Sequence, residues 1–310
     1  MFLVMYYNET RAMIRRRQVI DAELWNSRAW RQIMAFYRWL KPGLWAMRLP
    51  WIGPYLQRSW IKADSDANWF IPPQKTIRVG EVIPMGKQVA LPYAVVERLL
   101  NEADGIFAMK ACPCRTAFRC PEHPWDLGCL HLGTATRDIP PELGSLLKVD
   151  EGLGHLAQAM KSGLIPTILY IPSEAEIFGV DKTRMLSICF CCECCCDVRL
   201  MLQRGPQRYW ELYNQRMPGL SLVVSNACTL CGACVQACYG GEGVIRLGQG
   251  RAEINDRCLG CGKCISACPE GAISVEFDPE VDIIQQLLDR ISERVHINGG
   301  ENQHASNANG

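Results

Sequence analysis

The sequence predicts an α+β protein. Three observations carry that prediction: a cysteine pattern that repeats after thirty residues, several stretches with apolar residues at helical spacing, and two short apolar runs suited to strands. With 310 residues, 48% of them apolar and 21% charged, the chain has material for a sizeable core and roughly two domains. Eighteen cysteines dominate everything else.

Composition divides the chain into zones. Residues 1–88 are basic, Trp-rich and mainly helical. Residues 89–215 form a mixed α/β, cysteine-rich zone expected to be a metal or cluster domain. Residues 216–277 carry the repeated cysteine runs, 278–297 a C-terminal helix, and 298–310 an Asn/Gly/Ser-rich tail whose composition predicts disorder.

In the first zone Trp30, Ile33, Met34, Tyr37 and Leu40 recur at helical spacing, and Pro42-Gly43 is expected to stop the helix. Pro50, Pro54, Pro72 and Pro73 then argue against long regular elements. In the second zone 92–104 reads as a helix with Val95, Val96, Leu99 and Leu100 on its apolar face. Residues 106–109 and 165–171 read as strands, with a helix over 151–162 between them. Near the end, Asp278-Pro279-Glu280 starts a helix whose packing face is Val281, Ile284, Leu288, Ile291 and Val295.

The cysteines favour metal over disulfides. The N-terminal stretch MFLVMYYNET has no basic segment before its apolar run, which argues against a signal peptide, and the C-x2-C spacing is that of metal sites. A reducing compartment, the cytoplasm of a prokaryote, is expected. No stretch has the ~20 uninterrupted apolar residues of a membrane span.

CTLCGACVQAC at 228–238 recurs as CLGCGKCISAC at 258–268, each obeying C-x2-C-x2-C-x3-C. Three thiolates so spaced can hold three corners of an iron–sulfur cubane in one loop, and the fourth must come from elsewhere. Gly232 and Gly262 permit the positive φ such a loop needs, while Val244, Ile245, Ile273 and Val275 can shield the cluster. Zinc would use two C-x2-C pairs and leave the other cysteines of each run over.

These residues resemble a bacterial two-[4Fe-4S] ferredoxin domain, over about 57 residues of the chain. The resemblance implies a ferredoxin-type fold of two βαβ-like repeats. It also implies crossed ligation: Cys228, Cys231, Cys234 and Cys268 on one cluster, and Cys258, Cys261, Cys264 and Cys238 on the other. Tyr239 stands where that family usually has proline after the fourth cysteine, which points to an altered loop rather than lost ligation.

Ten further cysteines lie upstream. One constellation is Cys112-Pro-Cys114-Arg115 with Cys120 and Cys129; the other is CFCCECCC, with Cys189, Cys191, Cys192, Cys194, Cys195 and Cys196. The most economical assignment puts an additional iron–sulfur cluster on Cys112, Cys114, Cys120 and Cys129, and part of the 189–196 run on another or a shared one. Structural zinc and a thiol–disulfide site are the alternatives. His123 and His131 read as hydrogen-bonding loop residues before ligands. Arg115 reads equally as a partner of thiolate charge and as a surface ion pair. This zone is similar to bacterial and archaeal proteins that join a CxCR and a CC-rich segment to a C-terminal ferredoxin domain, a resemblance that implies no particular reaction.

Seven of the nine tryptophans, Trp25, Trp30, Trp39, Trp45, Trp51, Trp60 and Trp69, fall within residues 1–69, where eleven Lys/Arg and five Asp/Glu give a net +6. A helical cap with its own Trp core, a docking face for a redox partner protein and a peripheral membrane contact all suit that pattern. No nucleic-acid motif accompanies the charge. The expected function is low-potential electron transfer of the kind used in anaerobic metabolism, as an oxidoreductase subunit rather than a stand-alone enzyme. A reductase with an open iron–sulfur site at 112–196, and a redox or metal sensor, are the alternatives.

Overall fold

The structure is a computed structural model and describes residues 24–60, 66–69, 87–213, 216–278 and 280–298. The expectation of disorder after 298, the Pro72-Pro73 break and Pro279 lie outside these residues.

The first helix, α1 (Arg28–Ala46), is capped by Ser27, whose hydroxyl accepts the Trp30 N–H at 3.3 Å. Its buried face is the predicted one: Trp30, Ile33, Met34, Tyr37 and Leu40. The expected stop at Pro42 is corrected, because the helix runs on to Ala46. Leu44 and Met47, one turn further, are buried in the main core, and that burial outweighs the single hydrogen bond proline removes. A second helix, α2 (Gly53–Trp60), takes Pro54 in its first turn, where no N–H is needed.

Six strands form one antiparallel sheet: β1 (Asp66–Trp69), β2 (Ile106–Met109), β3 (Leu130–Leu132), β4 (Gly144–Leu146), β5 (Ile165–Tyr170) and β6 (Leu186–Cys191), in the order β1-β5-β6-β3-β2-β4. The expected strands at 106–109 and 165–171 are its β2 and β5. Helix α3 (Lys87–Glu102) begins before the expected 92 and buries Val95, Val96, Leu99 and Leu100. Between β2 and β3 lies the short α4 (Pro113–Ala117), and after β4 comes α5 (Val149–Lys161), which packs against α3 and β5. Beyond β5 are α6 (Pro172–Phe178) and, past the CC-rich segment, α7 (Asp197–Arg204) and α8 (Arg208–Tyr213).

The pairing of β3 with β6 positions the upstream site. Leu130 lies opposite Ile188 in antiparallel register, so Cys129 and Cys189, one step outward on each strand, become neighbours. The two cysteine segments, sixty residues apart in sequence, therefore meet at one end of the sheet.

The third zone repeats one unit: β7 (Leu220–Val224), α9 (Ala233–Gln236) and β8 (Ile245–Leu247), then β9 (Ala252–Ile254), α10 (Lys263–Ala267) and β10 (Ile273–Phe277). First and last strands pair, Ile273 opposite Val224, and the inner two pair, Ile245 opposite Ile254. This is the ferredoxin-type arrangement of two βαβ-like repeats.

Helix α11 (Ile283–Ser292) starts later than expected, with Asp282 rather than Asp278 as its cap, accepting the Gln285 N–H at 3.0 Å. The segment leaves the third zone and returns to the six-stranded sheet. Ile291 and Val295 face Ile168, Tyr170 and Leu186, and the His296 N–H donates to the Thr183 carbonyl at 2.8 Å.

Candidate metal centres

In the repeated runs, Gly232 and Gly262 adopt φ of 79° and 71°, each starting the short helix that carries the third cysteine. Leu230 also has positive φ, 57°, at the place the second copy fills with Gly260. A leucine there carries backbone strain that glycine does not, and its side chain forms part of the wall around the first thiols.

That wall encloses one cavity lined by Cys228, Cys231, Cys234 and Cys268, with Leu230, Leu247 and Ile273 beside them. Three cysteines of the first run and the last cysteine of the second thus share one space. Burial and the neighbouring Cys261, Cys258, Cys238 and Cys234 sulfurs push the Cys264 thiol up, and Cys258 and Cys238 likewise face Cys261. Backbone amides point at sulfurs: Ala252 N–H to Cys228 Sγ at 3.4 Å, Gly260 N–H to Cys258 Sγ at 3.4 Å, and Ala272 N–H to Cys268 Sγ at 3.3 Å. Donors aimed at thiolate sulfur and an apolar wall suit an iron–sulfur cubane. The shielding residues Val244, Ile245, Ile273 and Val275 are all buried.

The two sets differ in exposure. Cys231 is exposed and Cys228 and Cys268 are half-buried, whereas Cys258, Cys261 and Cys264 are buried. One set faces outward, the other inward.

Residues 221–269 match the 4Fe-4S dicluster domain family. The chain carries that domain. Searches of curated proteins and of solved structures returned no match. The dicluster domain, together with the clustered upstream cysteines, is the equipment of an iron–sulfur electron-transfer protein. Among the described residues no helix is long and apolar enough to cross a membrane.

The dicluster domain touches the upstream zone through the residue that departs from the usual pattern. Tyr239, next to Cys238, is fully buried against Cys196 and Cys191, and burial followed by those sulfurs holds its phenol well above the ordinary range. The Arg199 Nε–H donates to the Tyr239 carbonyl at 2.9 Å, with the guanidinium over the ring. Where a proline would end the run, this tyrosine plugs into the neighbouring domain.

The ten upstream cysteines fall into three groups. In the first, Cys112 stands beside both Cys114 and Cys129, and Cys129 Sγ lies 3.2 Å from Cys189 Sγ. Pro113 at the first turn of α4 and the extended Cys112 before it turn these thiols back toward the sheet. In the second, Cys120 joins Cys192, Cys194 and Cys195. In the third, Cys191 pairs with Cys196. Cys120 therefore departs from Cys112, Cys114 and Cys129, with which sequence economy had grouped it, because it lies beyond α4 and faces the turn after β6.

Arg115 is 0% exposed, so its reading as a surface ion pair is corrected. Its Nε–H donates to the Pro124 carbonyl at 2.8 Å and its Nη1–H to the Phe190 carbonyl at 2.7 Å, while Nη2 reaches the Leu127 carbonyl. Cys112, Cys192, Cys129 and Cys114 surround it and raise its pKa against the effect of burial. A buried guanidinium needs an anionic neighbour, and Cys112, whose thiol is held well below its ordinary range by hydrogen bonds from Cys114 and Cys129, is placed to supply one.

The histidines are not a matched pair of loop residues. His131 lies on β3, buried, with Nδ1 3.0 Å from the Ser187 hydroxyl, which donates to Glu174 Oε2 at 2.8 Å. Burial depresses His131 to about 3 and raises Glu174 to about 7, so both are neutral at mildly acidic pH. His123 lies in a loop, with Nδ1 3.1 Å from the Ser162 carbonyl and Nε2 3.4 Å from Glu193.

Beside the first upstream group is a cavity of about 250 Å³ lined by Tyr37, Glu174, Asp197, Met201, Tyr209 and apolar neighbours. The Tyr37 hydroxyl donates to Asp197 Oδ2 at 3.0 Å and touches Cys114 Sγ at 3.1 Å. No sequence motif announced this cavity, because its residues come from six helices far apart in sequence, α1, α2, α4, α6, α7 and α8.

Proposed function

We propose that the chain passes electrons between an outward-facing [4Fe-4S] cluster on Cys228, Cys231, Cys234 and Cys268, an inward-facing one on Cys258, Cys261, Cys264 and Cys238, and a further cluster on Cys112, Cys114, Cys129 and Cys189. Such clusters supply one-electron chemistry with potentials tuned by burial and hydrogen bonds. The observation that carries this reading is Tyr239: the residue bonded to Cys238 is buried against Cys196 and Cys191, so the two zones pack directly on each other there. The exposure of Cys231 supports electron exchange with an outside protein at that end.

A redox partner protein is the expected occupant of the basic aromatic face. Trp39, Trp45, Trp51 and Tyr55 are exposed there, interspersed with Arg38, Lys41, Arg48 and Arg58.

The test is iron and sulfide analysis with EPR on anaerobically purified protein. About twelve irons per chain, falling by about four in Cys268→Ser and in Cys189→Ser separately, is the expected result. Eight irons, with Cys189→Ser leaving iron unchanged, would sink the third cluster and leave a two-cluster ferredoxin.

The cavity favours a second reading, a reductase. Tyr37, Asp197 and Glu174 are proton-bearing groups around an apolar space, and the Tyr37 hydroxyl touches Cys114 Sγ. If that reading holds, Tyr37→Phe slows turnover of a reducible substrate while iron content stays at the parent value.

A further inference from the structure

Within the second upstream group, Cys120 Sγ is 3.2 Å from Cys194 Sγ, and Cys194 Sγ is 3.6 Å from Cys192 Sγ. All four sulfurs of Cys120, Cys192, Cys194 and Cys195 lie within 4.8 Å of one another. A single ion with metal–sulfur bonds of ~2.3 Å in a tetrahedron sets its sulfurs about 3.8 Å apart. A cubane encloses four irons and four sulfides between its thiolates and must hold them wider. The chain provides its own ruler: among the described residues, no three of the eight dicluster cysteines gather this closely, and although Cys129 and Cys189 stand 3.2 Å apart, no three of Cys112, Cys114, Cys129 and Cys189 do.

From this spacing we infer that Cys120, Cys192, Cys194 and Cys195 form a mononuclear tetrathiolate site for zinc, separate from the iron–sulfur clusters. Four thiolates in tetrahedral array suit zinc, and zinc outcompetes ferrous iron at the same ligands. The supporting shell is in place. The His123 N–H donates to Cys120 Sγ at 3.4 Å and the Cys195 N–H to Cys192 Sγ at 3.3 Å, so two ligands receive backbone donors. Glu193, between the ligands, is held by His123 and by Lys263 Nζ at 3.5 Å, and Lys263 also donates to the Gly163 carbonyl at 2.9 Å.

The role that follows is structural. Zinc has no redox chemistry, so it pins the loop after α4 to the turn after β6 without accepting electrons. Lys263 lies next to Cys264 in α10, so the pinned turn also braces the inward set of the dicluster domain. This inference stands whether or not the relay extends upstream.

The experiment is metal analysis and zinc X-ray absorption on the full chain purified anaerobically. One zinc per chain with four sulfur neighbours at ~2.3 Å and no iron in its surroundings is expected. Cys194→Ser, at the exposed ligand, should lose the zinc and keep the dicluster EPR signals, and Cys189→Ser should keep the zinc. Zinc present in both variants would overturn the assignment. So would iron and sulfide lost together from Cys194→Ser, or a Cys120–Cys194 disulfide in the native protein with no zinc. Should Cys194→Ser fail to fold, the absorption spectrum of the unaltered chain decides alone.

Discussion

The Arg115 guanidinium donates to the Phe190 carbonyl at 2.7 Å, so a side chain of the CxCR segment is anchored on the backbone of the CC-rich strand. Two further carbonyls, of Pro124 and Leu127, complete its set. Lysine keeps the charge but not the planar fork that reaches all three. Arg115→Lys should cost about 3–5 kcal/mol, the scale for breaking a buried charged network. Arg115→Leu, which also removes the cation among the thiols, should release upstream metal while sparing the dicluster signals. Urea denaturation and metal analysis check both, and a lysine variant as stable as the parent would remove the anchor argument.

Tyr239 makes the corresponding link from the other side. Its ring is fully buried, so Tyr239→Ala should cost about 3–5 kcal/mol, whereas Tyr239→Phe keeps the packing and should cost about 1 kcal/mol. Equal losses in both would mean that the hydroxyl, not the ring, holds the two zones together.

Glu174 and His131 give opposite pH slopes through Ser187. Burial raises Glu174 from the carboxylate range to about 7, so the folded state binds the extra proton and stability falls as pH rises through that window. Burial lowers His131 to about 3, so the unfolded state binds the proton and stability falls as pH drops below about 6.5. The two slopes largely cancel between about pH 4.5 and 6.5. Above pH 7 the Glu174 penalty stands alone, on the order of 3 kcal/mol. Glu174→Gln should therefore exceed the parent in stability at pH 8, with the advantage shrinking toward pH 5. Urea midpoints of the two proteins at both pH values test this, and a pH-independent difference would sink it.

The α+β class, the faces of α1 and α3 and the repeated cysteine runs were legible in the sequence because their signals are local: periodicity, or ligands within one loop; the face of α11 was not, since Ile283 and Leu287 are its buried residues, with Ile291, where Ile284 and Leu288 were expected. The partition of the upstream cysteines was not. Cys129 meets Cys189 only because Leu130 registers against Ile188, and strand register is set by contacts across sixty residues. Cys120 leaves its sequence neighbours because α4 turns it toward the bend at 192–195. Pro42 misled for a related reason: a local breaker was overruled by the burial of Leu44 and Met47, which only the packed core reveals. Arg115 shows the limit most clearly, since no pattern distinguishes a surface arginine from one enclosed by carbonyls and thiols.

The aromatic face of the first zone divides the same way, and its division is testable. Trp30 is fully buried on α1, while Trp45 and Trp51 are 66% and 92% exposed. A cap that uses its tryptophans as core predicts stability losses at all of them; a docking face predicts losses only at Trp30. Trp30→Ala should cost about 3–5 kcal/mol. Trp45→Ser and Trp51→Ser should stay within about 0.5 kcal/mol of the parent, because exposed side chains away from special features rarely matter to folding. Flotation with phosphatidylserine-containing vesicles at low salt then separates the two kinds of docking. Protein docking predicts that the chain stays with the soluble fraction, and binding that the Trp45 and Trp51 variants abolish would assign the face to lipid instead. Since Arg48 and Lys41 flank these tryptophans, lipid binding, if found, should also weaken steeply with salt.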